Sequence, residues 1–454
     1  MTDWVPSLTS DGSPRYVAFV QALEADIAAG RVKPGMRLLP QREMAQRLAL
    51  SVGTVSKAYA EAESRGLTSG EVGRGTFVRR RRSRNGDGAS DGNVNLALNV
   101  PPYTGEDEAI SAVLADIAAE GEMANLLDYL PHQGTRPHRE AATMWLASLG
   151  VNADPNHLFI TNGGQHALSV ALGMVASPGD IVLTETFTYS GIIALAAQNG
   201  YRLRSVATDA QGLVPDALDR AFGETGARAL FCMPTLQTPT GSVMPEDRRD
   251  AVAEIVAKHK AYLLEDDAYA FLFTTPPRTV SSRIPDRSFY VVSFAKCLAP
   301  GLRIAVMITP EAFRDRCNNG LRATGWMATP LMAEVVTRLI HNGGLGEQVK
   351  RKREKAAIRN AIASRALGGW LPPPSSQPGF HRWLPLPAGR MLNGLITQAA
   401  QAGITLAPPG ALQQVDRGTL GVRLCLGHPS EANLERALAE LRRILEMAEA
   451  ISFV

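Results

Sequence analysis

The sequence predicts an α/β protein in two parts, a small basic helical module at the N-terminus and a large open α/β sheet behind it. Three observations predict it. The 454 residues are 45% apolar, with 41 Gly and 29 Pro, which at roughly 100–200 residues per domain makes two to four domains with ample core. Positive charge is gathered at one end: residues 1–84 carry 14 Lys+Arg against 8 Asp+Glu, a balance of +6, while the other 370 carry 33 against 36. From about residue 155, seven short apolar runs alternate with helical stretches, the pattern of strands joined by crossovers. A basic head on a slightly acidic body implies that the head meets a polyanion while the body handles something else.

Composition also excludes function classes. No run of about 18 uncharged apolar residues occurs, and the opening Met1-Thr-Asp-Trp-Val-Pro6 lacks the basic and then apolar layout of a secretory signal. The expectation is a cytoplasmic protein with no membrane partner. Cys232, Cys297, Cys317 and Cys425 form no CxxC pair, so reduced thiols are expected rather than a disulfide scaffold or zinc knuckle. His132 and His138 lack metal-site spacing and no HExxH or Walker sequence occurs, so no metal is expected.

The head reads element by element. Ser13 is an N-cap and Pro14 the first residue of a helix in which Tyr16, Val20, Leu23 and Ile27 recur at helical spacing until Gly30. After the Lys33-Pro34-Gly35 turn comes a short second helix over Arg42–Leu48, with Met44, Ala45 and Leu48 inward. Ser51 caps a third, whose buried stripe is Val55, Ala58, Tyr59 and Ala62. That leaves Gly53, Thr54, Ser56 and Lys57 outward, small enough to enter a major groove. Leu67-Thr-Ser69, the turn Gly70-Glu-Val-Gly-Arg-Gly75 and Thr76-Phe-Val-Arg-Arg80 alternate like a hairpin tipped by Arg74. Together these make a winged helix-turn-helix, residues 1–78. Residues 79–93 follow as a linker, polar, glycine-rich and without large apolar side chains. Its opening arginines are either a solvated linker end or phosphate contacts.

Here the chain resembles the GntR family of bacterial regulators, through Gly35-Met-Arg-Leu-Leu-Pro-Gln-Arg-Glu-Met-Ala45, Thr54-Val-Ser-Lys-Ala-Tyr59 and Gly73-Arg-Gly-Thr-Phe77. The resemblance implies that double-stranded DNA is touched by Arg42, by Ser51, Thr54 and Lys57 at the third helix, and by Arg74 and Thr76 of the wing. Two positions depart from the family. Leu39-Pro40 stands where Pro-Ser or Pro-Thr is usual, so a hydroxyl that caps the second helix is missing, and Gly53 replaces a larger polar residue. A winged-helix protein-interaction module is the alternative reading of the head.

The body's seven strands are read at 158–161, 180–185, 202–206, 228–233, 262–266, 289–294 and 303–308. Open α/β sheets bind ligands beyond the carboxyl ends of their strands, so the residues just past each strand matter most. After the first, Thr161-Asn-Gly-Gly-Gln-His-Ala-Leu168 is a glycine turn opening a helix whose free N–H groups suit a phosphate. After the fifth come Asp266, Asp267 and Tyr269; after the sixth, Lys296; Arg303 begins the seventh. A lysine for a Schiff base, a carboxylate for a pyridine nitrogen, a phenol for a ring hydroxyl, and an arginine with a helix N-terminus for phosphate are what pyridoxal phosphate requires.

At this point the chain resembles the fold-type I aminotransferases, by Glu265-Asp-Asp-Ala-Tyr269, Ser293-Phe-Ala-Lys-Cys-Leu-Ala-Pro-Gly-Leu-Arg303, Pro239-Thr-Gly241 and Gly421-Val-Arg423, across about residues 94–450. The resemblance implies a fold-type I PLP-dependent transferase sheet of seven strands in a domain over 94–454. It also implies pyridoxal 5'-phosphate with its Schiff base at Lys296, the catalytic residue, and its ring nitrogen at Asp266. Tyr269 would bond the ring oxygen, Tyr189 would stack on the ring, and Gly164, Gln165, Ser293 and Arg303 would hold the phosphate. Arg423 would take a substrate carboxylate by its bidentate fork. Tyr129, in Asp128-Tyr-Leu-Pro-His-Gln-Gly134, resembles the tyrosine that reaches the phosphate, from its own or the other subunit. Thr238 puts a hydroxyl where the family offers an asparagine amide to the ring oxygen, and Ala295 replaces a phosphate-binding hydroxyl. A basic helix near 348–365, strands around 380–386 and 422–426 and an amphipathic helix over 430–447 read as a smaller α+β subdomain at about 345–454.

In this order the two parts resemble the MocR subfamily of GntR regulators. The resemblance implies a homodimer whose heads address an operator, with a small amino compound, or the cofactor itself, sensed through an aldimine at Lys296. The alternative is an active aminotransferase acting on an amino acid, with an incidental head.

Overall fold

The computed structural model describes residues 4–8, 14–33, 35–71, 75–78, 93–373, 377–386, 391–408 and 420–451. The chain divides into two compact units, Met1–Arg84 and Asn85–Val454. Of the sequence-predicted linker all but Asn93 lies outside the described residues, as does Arg74.

The head is three helices and a hairpin: α1 (Arg15–Ala28), α2 (Gln41–Leu48), α3 (Val52–Ser64), β1 (Thr68–Glu71) and β2 (Gly75–Val78). One expectation fails at its start. Pro14 stands at the N-cap, not inside the helix, with φ −56° and ψ 136° and no side-chain cap; Ser13 lies outside the described residues. Pro14 still suits the position, because its backbone is extended and its carbonyl receives the N–H groups of Val17 and Ala18. As expected from Leu39-Pro40, α2 starts at Pro40 without a side-chain cap. Ser51 does cap α3, its Oγ accepting from Thr54 N at 3.0 Å. The stripe Val55, Ala58, Tyr59 and Ala62 packs with Phe19, Val20 and Leu23 of α1 and Met44 of α2. Buried Tyr59 donates its hydroxyl to Leu39 O at 2.7 Å, which fastens the turn before α2 to α3. The hairpin pairs Thr68 with Val78 and Glu71 with Gly75, so the strands extend further into the predicted turn than its glycines suggested.

In the body β3 (Val94–Asn95) precedes the main sheet, which consists of β4 (Leu158–Thr161), β5 (Ile181–Glu185), β6 (Arg202–Val206), β9 (Ala229–Cys232), β10 (Tyr262–Asp266), β11 (Ser288–Ser293) and β12 (Ala305–Ile308). A two-residue hairpin, β7 (Thr208–Asp209) and β8 (Gly212–Leu213), lies between β6 and β9. The seven strands run in the order β4-β12-β11-β10-β9-β5-β6. Six are parallel, and β12 is antiparallel to both neighbours. Helices cover both faces, and the strands alternate between two cores. Val182, Phe231 and Leu264 face one, Leu183, Leu230 and Leu263 the other.

A second, smaller layer is built on β13 (His381–Pro385), β14 (Ile404–Thr405) and β15 (Gly421–Cys425) with the helices Gly344–Leu367 and Glu431–Ile451. Its core of Leu384, Leu395, Val422, Leu424, Leu434, Leu438 and Leu441 also takes in Val94 and Leu96, some 300 residues away in sequence. β3 pairs parallel with β14 and Cys425 N donates to Leu96 O at 2.8 Å, so residues 94–96 are built into this layer. Among the described residues no helix is long and apolar enough to cross a membrane.

Candidate functional site

The carboxyl edge of the sheet gathers the predicted residues. β4 ends at Thr161, Gly163 takes φ +85°, and the helix Gly164–Val175 begins. A Cβ at Gly163 would lie 2.5 Å from Arg303 Nη2 and 2.8 Å from its Cζ, so both the positive φ and the guanidinium require glycine. Arg303 does not begin a strand as expected. It sits in a left-handed turn at φ 55°, two residues before β12, and donates to Asn162 O at 3.3 Å. Because β12 is antiparallel, its start lies at the carboxyl edge of its neighbours, which is why Arg303 still joins the site. A guanidinium beside the free N–H groups of a 12-residue helix attracts an anion.

Ser293 ends β11 and caps the one-turn helix Phe294–Cys297, its Oγ accepting from Ala295 N at 3.2 Å. Its Cβ lies 3.5 Å from where a Cβ on Gly164 would stand. Gln165 donates to Gly191 O at 2.8 Å and leaves its buried Oε1 without a partner. A Cβ at Gly191 would overlap both Gln165 Oε1 and the Tyr189 ring at 2.2 Å, so these two side chains close over that glycine.

Lys296 Nζ donates to the backbone carbonyl of Asn99. Burial and then Arg423 bring its amine down to about 8, against Cys425 and Asp266, which pull upward. Asp266 ends β10; burial, and after it the charge of Asp267, push its carboxyl up to about 7, with Lys296 opposing. The two acids are not equivalent. Asp267 accepts from the Tyr290 hydroxyl at 2.8 Å and from Ala270 N at 3.1 Å, so it is tied into the sheet while Asp266 is left for the site. On the sheet's other face Glu185 accepts from Met233 N at 2.9 Å with one oxygen, and burial pushes it up to about 8. Tyr269 is buried, and its hydroxyl accepts from Asn99 Nδ2 at 2.7 Å and meets the side chain of Thr238.

The β13–β15 ribbon supplies the remaining wall. Antiparallel register sets His381 opposite Cys425 and Trp383 opposite Arg423, so the four share one face while Leu384, Val422 and Leu424 fill the core. Arg423 donates from Nη2 to Ala97 O at 3.0 Å, and its buried Nε has no partner. Cys425 Sγ donates to the same carbonyl at 3.3 Å. His381 donates from Nε2 to Gln237 O at 3.1 Å; burial and then Arg423 bring its ring down to about 3, so it is neutral and Nδ1 is a buried bare acceptor.

The structure thus brings together Lys296, Asp266, Tyr269, Tyr189, Gly164, Gln165, Ser293, Arg303, Thr238 and Arg423. Tyr129 stands apart, 77% exposed, its ring 5.6 Å from that of Trp326. Sequence reasoning missed Asn99, the Ala97 carbonyl and His381. A two-residue alternation of His381 and Trp383 facing Arg423 was available as a signal; Asn99 precedes every strand of the sheet, so the strand-end rule cannot find it.

In the head Arg42 and Ser51 are exposed and Thr54 half-buried at the start of α3. Ser51 and Thr54 share a hydrogen bond of 2.8 Å between their hydroxyls, and Lys57 Nζ lies 4.1 Å from the centre of the Tyr16 ring. Thr76 pairs with Gly70 in the hairpin. Among the described residues no group of three His, Cys, Asp or Glu is arranged to hold a metal ion.

Comparison with known proteins agrees with this assembly. Residues 91–441 match the family described as aminotransferase class I and II, and residues 15–78 match the gntR family of bacterial regulatory proteins. The chain is 28% identical over 451 residues to the uncharacterized HTH-type transcriptional regulator YdeF of Bacillus subtilis, covering 98% of this chain and 97% of that one. It is 26% identical over 392 residues to the probable rhizopine catabolism regulatory protein MocR of Rhizobium meliloti, covering 79% of each. A crystal structure of Pyrococcus horikoshii kynurenine aminotransferase shares the fold with a TM-score of 0.72 at 23% identity, over 79% of this chain and 92% of that one.

Proposed function

Since the chain belongs to the aminotransferase class I and II family and, with its gntR-family head, to the MocR-type GntR transcriptional regulators, we propose that its body holds pyridoxal 5'-phosphate and senses a small amino compound. The residues present fit that cofactor. Arg303, Ser293, Gln165 and the helix N-terminus at Gly164 would hold its phosphate, in a cradle that a side chain at Gly163 would fill. Lys296 would carry its carbonyl carbon, Asp266 face its ring nitrogen, Tyr269 with Thr238 its ring oxygen, and Tyr189 its face. The unpartnered Arg423 Nε is a buried donor suited to an anionic ligand. When bound, the cofactor supplies an electron-withdrawing pyridinium ring. Arg423 favours a ligand with a carboxylate.

One observation carries the sensing role. Ala97 O accepts from Arg423 and Asn99 O from Lys296, so the segment that follows the linker closes on both residues that would meet a ligand. A ligand carboxylate competes with Ala97 for Arg423, and its binding is thereby linked to the start of the body. For regulation the ligand must bind two arrangements of the protein unequally. A homodimer would place two heads on two half-sites of an operator and give exposed Tyr129 a partner's site to reach. The buried free cysteines suit the reducing cytoplasm, where such a regulator works.

The test is the visible spectrum of the cofactor-loaded protein while amino acids are added without a keto acid. A shift that holds supports sensing. A band that bleaches and is restored by a keto acid makes the domain a transaminase and overturns the regulator-only reading. Two further outcomes are expected. Capture of the cofactor by the apoprotein should quicken as pH rises through about 8, where the Lys296 amine loses its proton; a rate flat from pH 7 to 9 contradicts this. Arg42→Ala and Arg74→Ala should weaken DNA binding, each lowering the salt slope by about one, and leave the visible spectrum as it was. Gel-shift titrations at several salt concentrations check it.

A further inference from the structure

We propose that Asn99 is a positioning residue of the cofactor pocket, acting through Tyr269 by keeping the phenol's proton free to point at the ring oxygen. The inference rests on the cofactor reading above and adds a residue to it. Asn99 lies in the segment between β3 and the first body helix, 170 positions from Tyr269, yet its Nδ2 donates to the Tyr269 hydroxyl at 2.7 Å. Its backbone carbonyl accepts from Lys296. It therefore touches both the amine and the phenol of the site with two different groups.

The direction of the hydrogen bond carries the consequence. A phenol has one proton to give and lone pairs to receive. With Asn99 donating, the Tyr269 oxygen is the acceptor and its own O–H is not spent on the amide. A phenol that accepts a hydrogen bond also becomes a stronger donor, because bonds in a chain polarise one another. Tyr269 is 1% exposed, so water does not compete for its proton. The proton is then available to an oxygen entering the pocket, with the Thr238 side chain at the same hydroxyl. Asn99 Oδ1 is buried without a donor among the described residues, so the bond to Tyr269 is the amide's one side-chain tie among them.

The measurable effect follows from competition. In the loaded protein a Tyr269 proton donated to the ring oxygen would draw on electrons that would otherwise hold the proton on the nitrogen of Lys296. Removing Asn99's donor weakens that pull, and the nitrogen keeps its proton to higher pH. Asn99→Leu should therefore raise the pH midpoint of the visible band of the loaded protein by about 0.5 to 1 pH unit, the size of one neutral hydrogen bond. The substitution leaves the backbone carbonyl at Lys296 in place, and the titratable groups around the pair, Asp266, Arg423, Cys425 and His381, stay as they are. Asn99→Ala is the second variant, smaller and free of new contacts.

A double-mutant cycle read by absorbance against pH in the full-length, cofactor-loaded protein tests this: wild type, Asn99→Leu, Tyr269→Phe and the double variant, with Asn99→Ala in parallel. Action through Tyr269 requires that either Asn99 substitution shift the midpoint upward when Tyr269 is present and add nothing in Tyr269→Phe. An unmoved midpoint in both Asn99 variants, or shifts that add in the double variant, overturns the inference and leaves the cofactor site standing. A wild-type protein with no visible band after loading overturns the cofactor reading itself, and this inference with it.

Discussion

Lys296→Ala abolishes the visible band of the cofactor-loaded protein and leaves nonspecific DNA affinity within about twofold of wild type. The two halves of that result have separate causes. The Lys296 amine is buried at the carboxyl edge of the sheet and brought down to about 8, so it supplies the nucleophile that joins a carbonyl carbon, and alanine supplies none. The phosphate cradle of Arg303, Gly164 and Ser293 survives the change, so the variant would still bind the cofactor reversibly, and desalting would then remove it. The head is a separate compact unit with its own core of Phe19, Met44, Val55 and Tyr59, so a substitution in the body leaves that core as it is. Absorbance after desalting and a gel shift on nonoperator DNA check both halves. A band that survives in Lys296→Ala means another amine carries the cofactor, and the site assignment fails.

How much of this was legible beforehand depends on what each residue answers to. Strands such as Ala229–Cys232 and Phe289–Val292 are runs of mostly apolar residues buried along their whole length, and such runs announce themselves in any chain. Asp266 is the last residue of β10 and Lys296 lies just past the end of β11, so one rule about the carboxyl ends of strands in open sheets finds them both. Arg303 is different. A single strand looks the same whether it runs parallel or antiparallel, and only the antiparallel setting of β12 explains how a residue before a strand reaches the edge that the others reach after theirs. Asn99 and Ala97 answer to pairing across some 300 residues, β3 with β14 and Leu96 with Cys425, and no local pattern encodes a partner that remote. The Pro14 N-cap shows the smaller error of the same kind: Ser-Pro reads as cap and first turn, but where the turn begins depends on which carbonyl receives the first N–H groups.

Asp266→Asn makes the apoprotein more stable at pH 8 and the cofactor-loaded protein less so. Burial and Asp267 push the Asp266 carboxyl up to about 7 from an ordinary 3.8, so between those values the folded chain holds a proton that the unfolded chain has lost. Stability contributed by this group is therefore full below about pH 4, falls as pH rises towards 7, and is absent at pH 8. Ionising it in place costs on the order of 2–4 kcal/mol, which asparagine of nearly equal shape avoids. Asp267 and Glu185 are pushed up in the same way, so the wild-type apoprotein weakens with rising pH in any case, and the comparison with Asp266→Asn isolates the one carboxyl. Bound cofactor would reverse the balance, because a protonated ring nitrogen at Asp266 would give the buried carboxylate a closer cation than Lys296 supplies. Losing that pair should weaken cofactor binding more than tenfold, since a buried partner left alone costs several kcal/mol. Thermal midpoints of apo and loaded protein at pH 5 and pH 8 decide it. The expected pattern is a variant that gains on wild type from pH 5 to pH 8 when empty and falls behind it when loaded. If Asp266→Asn is the less stable protein in the empty state at pH 8 as well, Asp266 is a structural carboxylate already paired within the fold, and it does not stand ready for a cofactor nitrogen.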